Sequence, residues 1–388
     1  MSLSRRLMLG FAGACALASR AGASSAPSPA APPAPSSPVI GAVLPLSGSA
    51  ALLGDEVLRG ILLAADAVNQ AGGIAGKPVS LAPVDTPDQA HATQAVGDLI
   101  SGAHANVILG SGISALSYPA SAAAELAQTP FIELTALADG ILTRGFKYTL
   151  RTGPSASMVG QLAAATVQAR FTGRTLGLLY NTGAANGAIA AAVTSALNAA
   201  KLPVKLAIGY PDDVADLYDQ AGRLMRAKVD VLLHAAGPDD ALGLALAMQA
   251  QGWRPGTLMG CGAGYQLRET QAALGPALAG TLVIGAPFYP ASAAVVEAAY
   301  FGKFGMQPRS ADSLTAYVGA KLVFETLNKA GGDPSKLLAT LRGTNLPRGA
   351  LSNGFGVNFD LSGQNTGSFV VLQQWHGGSL APAATREG

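Results

Sequence analysis

Short apolar segments alternate with longer amphipathic segments along most of this chain. In the first series, strands are predicted at residues 39–46, 77–85, 107–109, 130–134 and 147–152. Helices are predicted between them, at residues 54–73, 87–101 and 118–127. An alternation of buried strands and helices is typical of βαβ units, in which the strands of a sheet run parallel.

The same alternation begins again in the middle of the chain. Its strands are predicted at 175–181, 204–211, 229–236 and 256–261, and its helices at 187–200, 216–228 and 239–252. Two series of similar length predict an α/β fold with two doubly wound, Rossmann-like parallel-sheet lobes. Because open parallel sheets bind ligands at the carboxyl ends of their strands, two such lobes predict a ligand cleft between them.

A glycine-rich loop follows the third predicted strand. Gly110, Gly112 and Ala115 have the pattern G-x-G-x-x-A, and Glu133 ends the next strand. A glycine loop with an acid about 20 residues on resembles a dinucleotide-binding fingerprint, so an NAD(P)-dependent oxidoreductase is one alternative. Two features argue against the oxidoreductase alternative: the motif follows the third strand instead of the first, and Pro119 comes soon after the loop. Binding of NAD(P) would test this alternative.

Charge and cysteine content narrow the function classes. Of the 388 residues 12% are charged, the formal net charge is +2, and no basic block stands out, so we predict no nucleic-acid partner. The two cysteines and four scattered histidines lack metal-ligand spacing, which predicts no metal site. The G-x-S-x-G, H-E-x-x-H and P-loop motifs are absent from the sequence, so we predict no enzyme activity and no cofactor.

Residues 1–23 have the pattern of an export signal. They combine a basic start at Arg5 and Arg6, a short apolar stretch and a small-x-small sequence that ends at Ala23, where cleavage is predicted. The sequence SRRLML also resembles the twin-arginine motif, so both export routes stay open. Lipid attachment at Cys15 is a further alternative. The signal predicts an exported, periplasmic protein.

The residues after the signal resemble a known family. Pro45 to Gly48 form a PLSG loop after the first strand, Asn69 precedes a Gly-Gly-Ile sequence at 72–74, and Asp85 ends the second strand. This order is similar to the opening of the periplasmic leucine/isoleucine/valine-binding proteins, the soluble receptors of ABC importers. The segments GSGISALSYPASAAAELAQTPFIELTA and RGFKYTLRT resemble later parts of that family, and the likeness covers about residues 39–380.

The resemblance implies two lobes joined by a hinge of three crossings. After a Pro/Ala/Ser-rich linker at 24–38, lobe 1 would comprise residues 39–152 and 285–368, and lobe 2 residues 153–284 and 369–388. It also implies that a monomer captures a small-molecule ligand, an amino acid or a related carboxylate or amide, by lobe closure. An inner-membrane ABC permease would receive the ligand. A ligand sensor of the same fold is the alternative.

The resemblance also implies a ligand site. Its members in this sequence would be Leu53, Ser114, Ala115, Thr135, Leu137, Asn186, His234 and Gly262. The loop of Gly110, Gly112 and Ser114 would hold a ligand carboxylate through backbone N–H groups and a hydroxyl. The polar members also have structural alternatives: helix caps for Ser114 and Asn186, turn formation for Thr135, and packing for His234.

One position departs from the family pattern. In amino-acid-binding members a carboxylate of the second lobe pairs with the ligand ammonium, and the matching position here is the uncharged Gly262. Because a buried, unpaired ammonium is strongly unfavourable, the sequence favours a ligand that has a carboxylate or amide but no free α-amino group. Asp239 or Asp240 would supply the charge in a shifted alignment.

Overall fold

The computed structural model describes residues 37–214, 216–376 and 379–383. The predicted export signal, Cys15 and nearly all of the predicted linker lie outside these residues. None of the described helices is both long and apolar enough to cross a membrane.

Five parallel strands form the first sheet, in the order β2-β1-β3-β4-β5. They are β1 (Val39–Leu44), β2 (Ser80–Asp85), β3 (Ala105–Gly110), β4 (Phe131–Glu133) and β5 (Thr149–Arg151). The helices in this part are α1 (Ala51–Gln70), α2 (Ala92–Ser101) and α3 (Ser114–Leu126). Alternate residues of a strand point to opposite faces, so Ile40 packs in the core beneath α1 and Val43 in the core beneath α2 and α3.

The second sheet has the order β7-β6-β8-β9-β10-β11-β12. Its strands are β6 (Leu176–Asn181), β7 (Val204–Tyr210), β8 (Val231–Ala235), β9 (Thr257–Cys261), β10 (Leu282–Gly285), β11 (Val371–His376) and β12 (Ser379–Pro382). The first five are parallel, and β11 and β12 are antiparallel. One face is covered by α4 (Ala156–Arg170) and α5 (Ala184–Ala199), the other by α6 (Tyr218–Arg226), α7 (Pro238–Ala250) and α8 (Arg268–Leu274).

The chain returns to the first sheet before it finishes in the second. Between β10 and β11 it forms α9 (Ala294–Phe304), α10 (Asp312–Lys329) and α11 (Leu337–Arg342). Helix α10 packs lengthwise on α1, and Ala316 and Ala320 share a core with Ile61. The chain therefore passes between the sheets after β5, after β10 and before β11. The predicted class, two parallel-sheet lobes of α/β type joined by three crossings, is confirmed.

Helix α3 differs from its predicted range of 118–127. It begins at Ser114, because the Ile113 backbone is extended and its carbonyl oxygen accepts the amides of Leu116 and Ser117. Pro119 lies inside this helix, where its missing N–H removes one intrahelical hydrogen bond. The helix start therefore coincides with the end of the glycine loop.

The C-terminal part of the sequence, residues 356–375, resembles a hairpin in its residue pattern, but the structure forms the hairpin further along the chain. The antiparallel pair is β11 with β12, and residues 356–370 contain only isolated bridges such as Phe359 with Asn365 among the described residues. Asn365 explains the difference, because its side chain accepts the amides of Asn358 and Gly367 and holds this segment in turns.

Candidate ligand-binding site

A cavity of about 190 Å³ lies where the two sheets present their strand ends. In each sheet the parallel strands have the order 2-1-3-4-5, so the connections diverge beside the first strand, at β1/β3 and at β6/β8. Ligands of open α/β sheets bind at such switch points, beyond the carboxyl ends of the strands. Both sheets contribute loops to the lining. The first contributes residues 53, 112–114 and 135–137, and the second contributes residues 185–186, 236–238 and 262–263.

The size and lining of the cavity indicate a small ligand with an apolar body. An engineered cavity of ~150 Å³ holds benzene, so this volume suits a group of the size of a leucine or a single aromatic ring. Ile113, Val159, Ile189 and Val370 supply apolar surface. The polar side chains of the lining are those of Ser114, Thr135, Asn186, Gln266, Asp312 and Thr315.

Ser114 is positioned by the loop that joins β3 to α3. Gly112 has a φ of +81° and Ile113 is extended, so the helix begins at Ser114 itself. The Ser114 Oγ accepts the Ala138 amide at 3.2 Å, which leaves the hydroxyl proton free to bind a ligand oxygen. The first amides of a helix have no intrahelical acceptor and carry the positive end of its dipole, so this loop can bind a carboxylate.

The Glu133 carboxylate holds the same loop in place through hydrogen bonds. It is buried and accepts the Ser111 amide at 3.0 Å and the Ser117 hydroxyl at 2.5 Å. It also accepts the amides of three residues that follow it, Leu134, Thr135 and Ala136. The acid of the supposed dinucleotide fingerprint is therefore committed to the protein backbone and does not face a ribose.

Two buried hydroxyls in the lining lack partners. Thr135 is 7% exposed and Thr315 is 2% exposed, and the Oγ1 atom of each has no hydrogen-bond partner among the described residues. Buried polar atoms are normally hydrogen-bonded, so both hydroxyls are available to a bound molecule. Leu53 and Leu137, which the family resemblance names as ligand-binding residues, line the cavity as well.

Asn186 and Gly262 meet on the other wall. A Cβ atom at Gly262 would lie 2.9 Å from the Asn186 Oδ1 atom and 3.0 Å from the Ala236 carbonyl oxygen, and Gly262 has a φ of +104°. Only glycine suits this position. The N-cap of α5 is Gly183, so Asn186 does not cap the helix and instead lines the cavity.

Two predicted site residues lie elsewhere. His234 is fully buried behind the cavity wall, where its Nδ1 atom lies 2.6 Å from the Tyr265 hydroxyl and its Nε2 atom 2.8 Å from the Tyr210 hydroxyl. It packs against these neighbours because it points from β8 into the core. Ala115 is one residue too far along α3 to be in the lining. Of the eight predicted residues, the cavity brings together Leu53, Ser114, Thr135, Leu137, Asn186 and Gly262.

The alternative acids of the second lobe do not reach the cavity either. Asp240 is buried and accepts the Gly237 amide at 2.7 Å and the Asn181 side-chain amide at 3.1 Å, while Asp239 is exposed. The charged residue that does line the cavity is Asp312, at the start of α10. Sequence reasoning missed it, since no local signal connects a helix start at residue 312 with a loop at residue 114.

Comparison with known proteins identifies the family. The sequence profile of the periplasmic binding protein family matches residues 38–378. A Leu/Ile/Val-binding protein homolog of Brucella abortus is 32% identical over 360 residues, which cover 88% of each chain.

Two solved structures are similar in fold. LivJ of Streptococcus pneumoniae, in complex with isoleucine, has a TM-score of 0.78 at 20% identity and covers 89% of this chain and 98% of its own. A solute-binding protein of R. palustris, in complex with benzoate, has a TM-score of 0.77 at 21% identity and covers 91% and 98%. The family profile, the curated relative and the cavity at two switch points agree: this chain belongs to the periplasmic binding protein family.

Proposed function

We propose that this chain is the substrate-binding protein of an ABC importer of the branched-chain amino-acid type. It captures a small amino acid or a related carboxylate-bearing molecule, without chemical change, and delivers it to an inner-membrane permease. The observation that carries this proposal is the cavity itself, because one small space is lined by the strand-end loops of both sheets.

The carboxylate of the ligand binds at the start of α3. Donors there are the amides of the first turn and the Ser114 hydroxyl, and Glu133 fixes the loop from behind. The apolar body of the ligand then lies against Ile113, Val159 and Ile189. Relatives of this family support the assignment, since one bears the name of a Leu/Ile/Val-binding protein.

Lobe closure provides the mechanism of capture, with lobe 1 at residues 39–152 and 285–368 and lobe 2 at 153–284 and 369–388. Two of the crossings are bonded to each other: Gln364 donates to the Gly153 carbonyl at 2.9 Å, and Asn365 to the Thr152 carbonyl at 3.1 Å. These bonds hold the crossing segments together, so the lobes move about them as a hinge.

A thermal-shift screen of residues 24–388 tests this function. The panel contains leucine, valine, their 2-oxo analogues, benzoate, aliphatic amides and NAD(P). A ligand at about 100 times its Kd should stabilise the wild type by about 2.7 kcal/mol. Ser114→Ala should weaken binding of the stabilising ligand by about tenfold or more, because a charge-assisted hydrogen bond is lost.

The control is Ser101→Ala, which removes a hydroxyl from the exposed end of α2. It should bind the ligand as the wild type does. No stabilisation by any acid, amide or amino acid, or stabilisation by NAD(P) alone, would contradict the proposed function.

A further inference from the structure

Helix α10 contributes two polar groups to the cavity. They lie outside the loop at the start of α3 that is proposed to bind the ligand carboxylate. Asp312 and Thr315 are three residues apart, so they lie on the same side of the helix, and both line the cavity. The Thr315 hydroxyl is the unpartnered one described above. A buried hydroxyl without a partner, one turn from a carboxylate, is a site for a hydrogen-bond donor.

The Asp312 carboxylate has little protein around it that neutralises its charge. Its one hydrogen bond within the described residues comes from the Ser310 hydroxyl, at 3.0 Å. The charged group that acts on it is Glu56 on α1, and the cation next to it in the sequence is Arg309. Glu56 is another acid and is held by the Tyr300 and Ser313 hydroxyls, while the Arg309 guanidinium binds the carboxylates of Asp55 and Glu269.

The balance of charge in the cavity is therefore negative. Asp312 is the one charged side chain among the described residues of the lining. A ligand that carried only a carboxylate would bring a second negative charge into this small space, where Coulomb interactions are several times stronger than in water. A ligand that also carried an ammonium would find a carboxylate and a free hydroxyl to receive it.

We propose that Asp312, together with Thr315, forms the subsite that binds the ammonium group of the ligand. This inference rests on the proposed function and names the ligand class as one with both a carboxylate and a protonated amine. It replaces the sequence-based hypothesis of a ligand without an α-amino group. The charge that is missing at Gly262 in the second lobe is supplied by α10, which packs on α1 of the first.

The pH dependence of binding distinguishes the two ligand classes. Burial raises the pKa of Asp312 to about 6 in the unliganded protein, with Glu56 adding to the effect. An ammonium favours the charged carboxylate, so its affinity falls as the pH is lowered through 6. A ligand with only a carboxylate requires Asp312 to be protonated, so its affinity rises over the same range.

The experiment is isothermal titration calorimetry from pH 5 to 8. The probes are the twenty L-amino acids and the matching acids without the amino group, including the 2-oxo analogue of leucine and benzoate. We expect the tightest ligand of the wild type at pH 7.5 to carry an amino group and to lose affinity below pH 6. Asp312→Asn should weaken it by about 100-fold, the cost of removing one partner of a buried charge pair, and should abolish the pH dependence.

Two controls keep the result interpretable. Asp66→Asn removes an exposed carboxylate from α1, where it pairs with Lys303, and should leave binding unchanged. The thermal midpoint of Asp312→Asn should equal or exceed that of the wild type, because a carboxylate disfavoured by burial is replaced by a neutral group of the same shape.

The inference is overturned if an acid without an amino group binds most tightly and gains affinity at low pH. It is also overturned if Asp312→Asn binds the amino acid as well as the wild type. In both cases the proposed function survives, provided that binding still depends on Ser114. If none of the probes binds the wild type, both the inference on Asp312 and the proposed function are contradicted.

Discussion

Burial of the His234 side chain determines its protonation state and makes the stability of the protein depend on pH. Both ring nitrogens lie within hydrogen-bond distance of tyrosine hydroxyls, and the Tyr265 ring packs edge-on at a centroid distance of 5.7 Å. Burial lowers the pKa of His234 to about 3. The imidazole therefore stays neutral in the folded protein at every physiological pH, and its role is to connect β7, β8 and the segment after β9.

This environment predicts a pH-dependent stability. Between about pH 6.5 and 3 the unfolded chain binds a proton at His234 that the folded chain excludes, so folding becomes less favourable as the pH falls. Relative to His234→Gln, the wild type should lose about 1.4 kcal/mol of unfolding free energy per pH unit between pH 6 and 4. Urea unfolding of both proteins at pH 7, 6, 5 and 4 measures the difference. A difference that stays constant with pH would contradict the prediction.

At the scale of elements, the contact between α1 and α10 positions the candidate site. Glu56 of α1 is buried and accepts the Tyr300 hydroxyl of α9 at 2.6 Å, the Ser313 hydroxyl of α10 at 2.5 Å and the Arg309 amide at 3.0 Å. Three helices are thereby joined through one carboxylate, and Asp312 is held beside the cavity as a consequence.

The closeness of these helices predicts the effect of a single methyl group. A Cβ atom at Gly60 of α1 would lie 2.1 Å from the Ser313 carbonyl oxygen of α10, a backbone atom that cannot move alone. Gly60→Ala should therefore destabilise the protein by about 3 kcal/mol and weaken ligand binding through Asp312. Urea unfolding and calorimetry measure the two effects.

Gly97 provides the matched control. It lies inside α2, is exposed, and a Cβ atom there would have nothing within 4 Å. Gly97→Ala should stabilise the protein by about 0.5–1 kcal/mol, because alanine loses less backbone entropy than glycine in a helix. Equal effects of the two substitutions would mean that the helix contact is not as close as the structure shows.

At the scale of the whole molecule, a buried hydrogen-bond network holds the crossing segments together. Arg151 is buried at the end of β5, where its guanidinium donates to Gln364 at 2.6 Å and to the carbonyl oxygens of Ala136 and Ala138. Gln364 in turn binds Gly153 on the neighbouring crossing. The network joins the crossing segments to Ala136 and Ala138, and Ala136 lines the cavity. In the proposed function, a ligand in the cavity would therefore be connected to the crossing segments.

We expect this connection to appear as compaction on binding. Small-angle X-ray scattering of the mature chain should give a smaller radius of gyration with saturating ligand than without it, since the ligand contacts both lobes. Ser114→Ala, at a ligand concentration below its Kd, should scatter like the unliganded protein. Identical curves for the free and the fully occupied wild type would rule out lobe closure.

The sequence alone determined the parts of this protein that local patterns encode. Strand and helix periodicity predicted the two α/β series, and the glycine pattern at Gly110 and Gly112 predicted the loop after the third strand, which borders the cavity. Family resemblance added Ser114, Thr135, Asn186 and Gly262, all of which line the cavity. These features depend on neighbours in the chain or on strand ends, which meet at one edge of a parallel sheet.

Only the tertiary structure decided which side chains line the cavity. His234 lies near the carboxyl end of β8, yet it points into the core, because the face of a strand is set by what packs on it. Asp312 carries no local signal, and it reaches the cavity because the chain returns from the second sheet to pack α10 on α1. Periodicity encodes local structure. The charge of the site comes instead from a contact between α1 and α10, in which Ser313 bonds to Glu56, 257 residues away, and only tertiary packing brings these segments together.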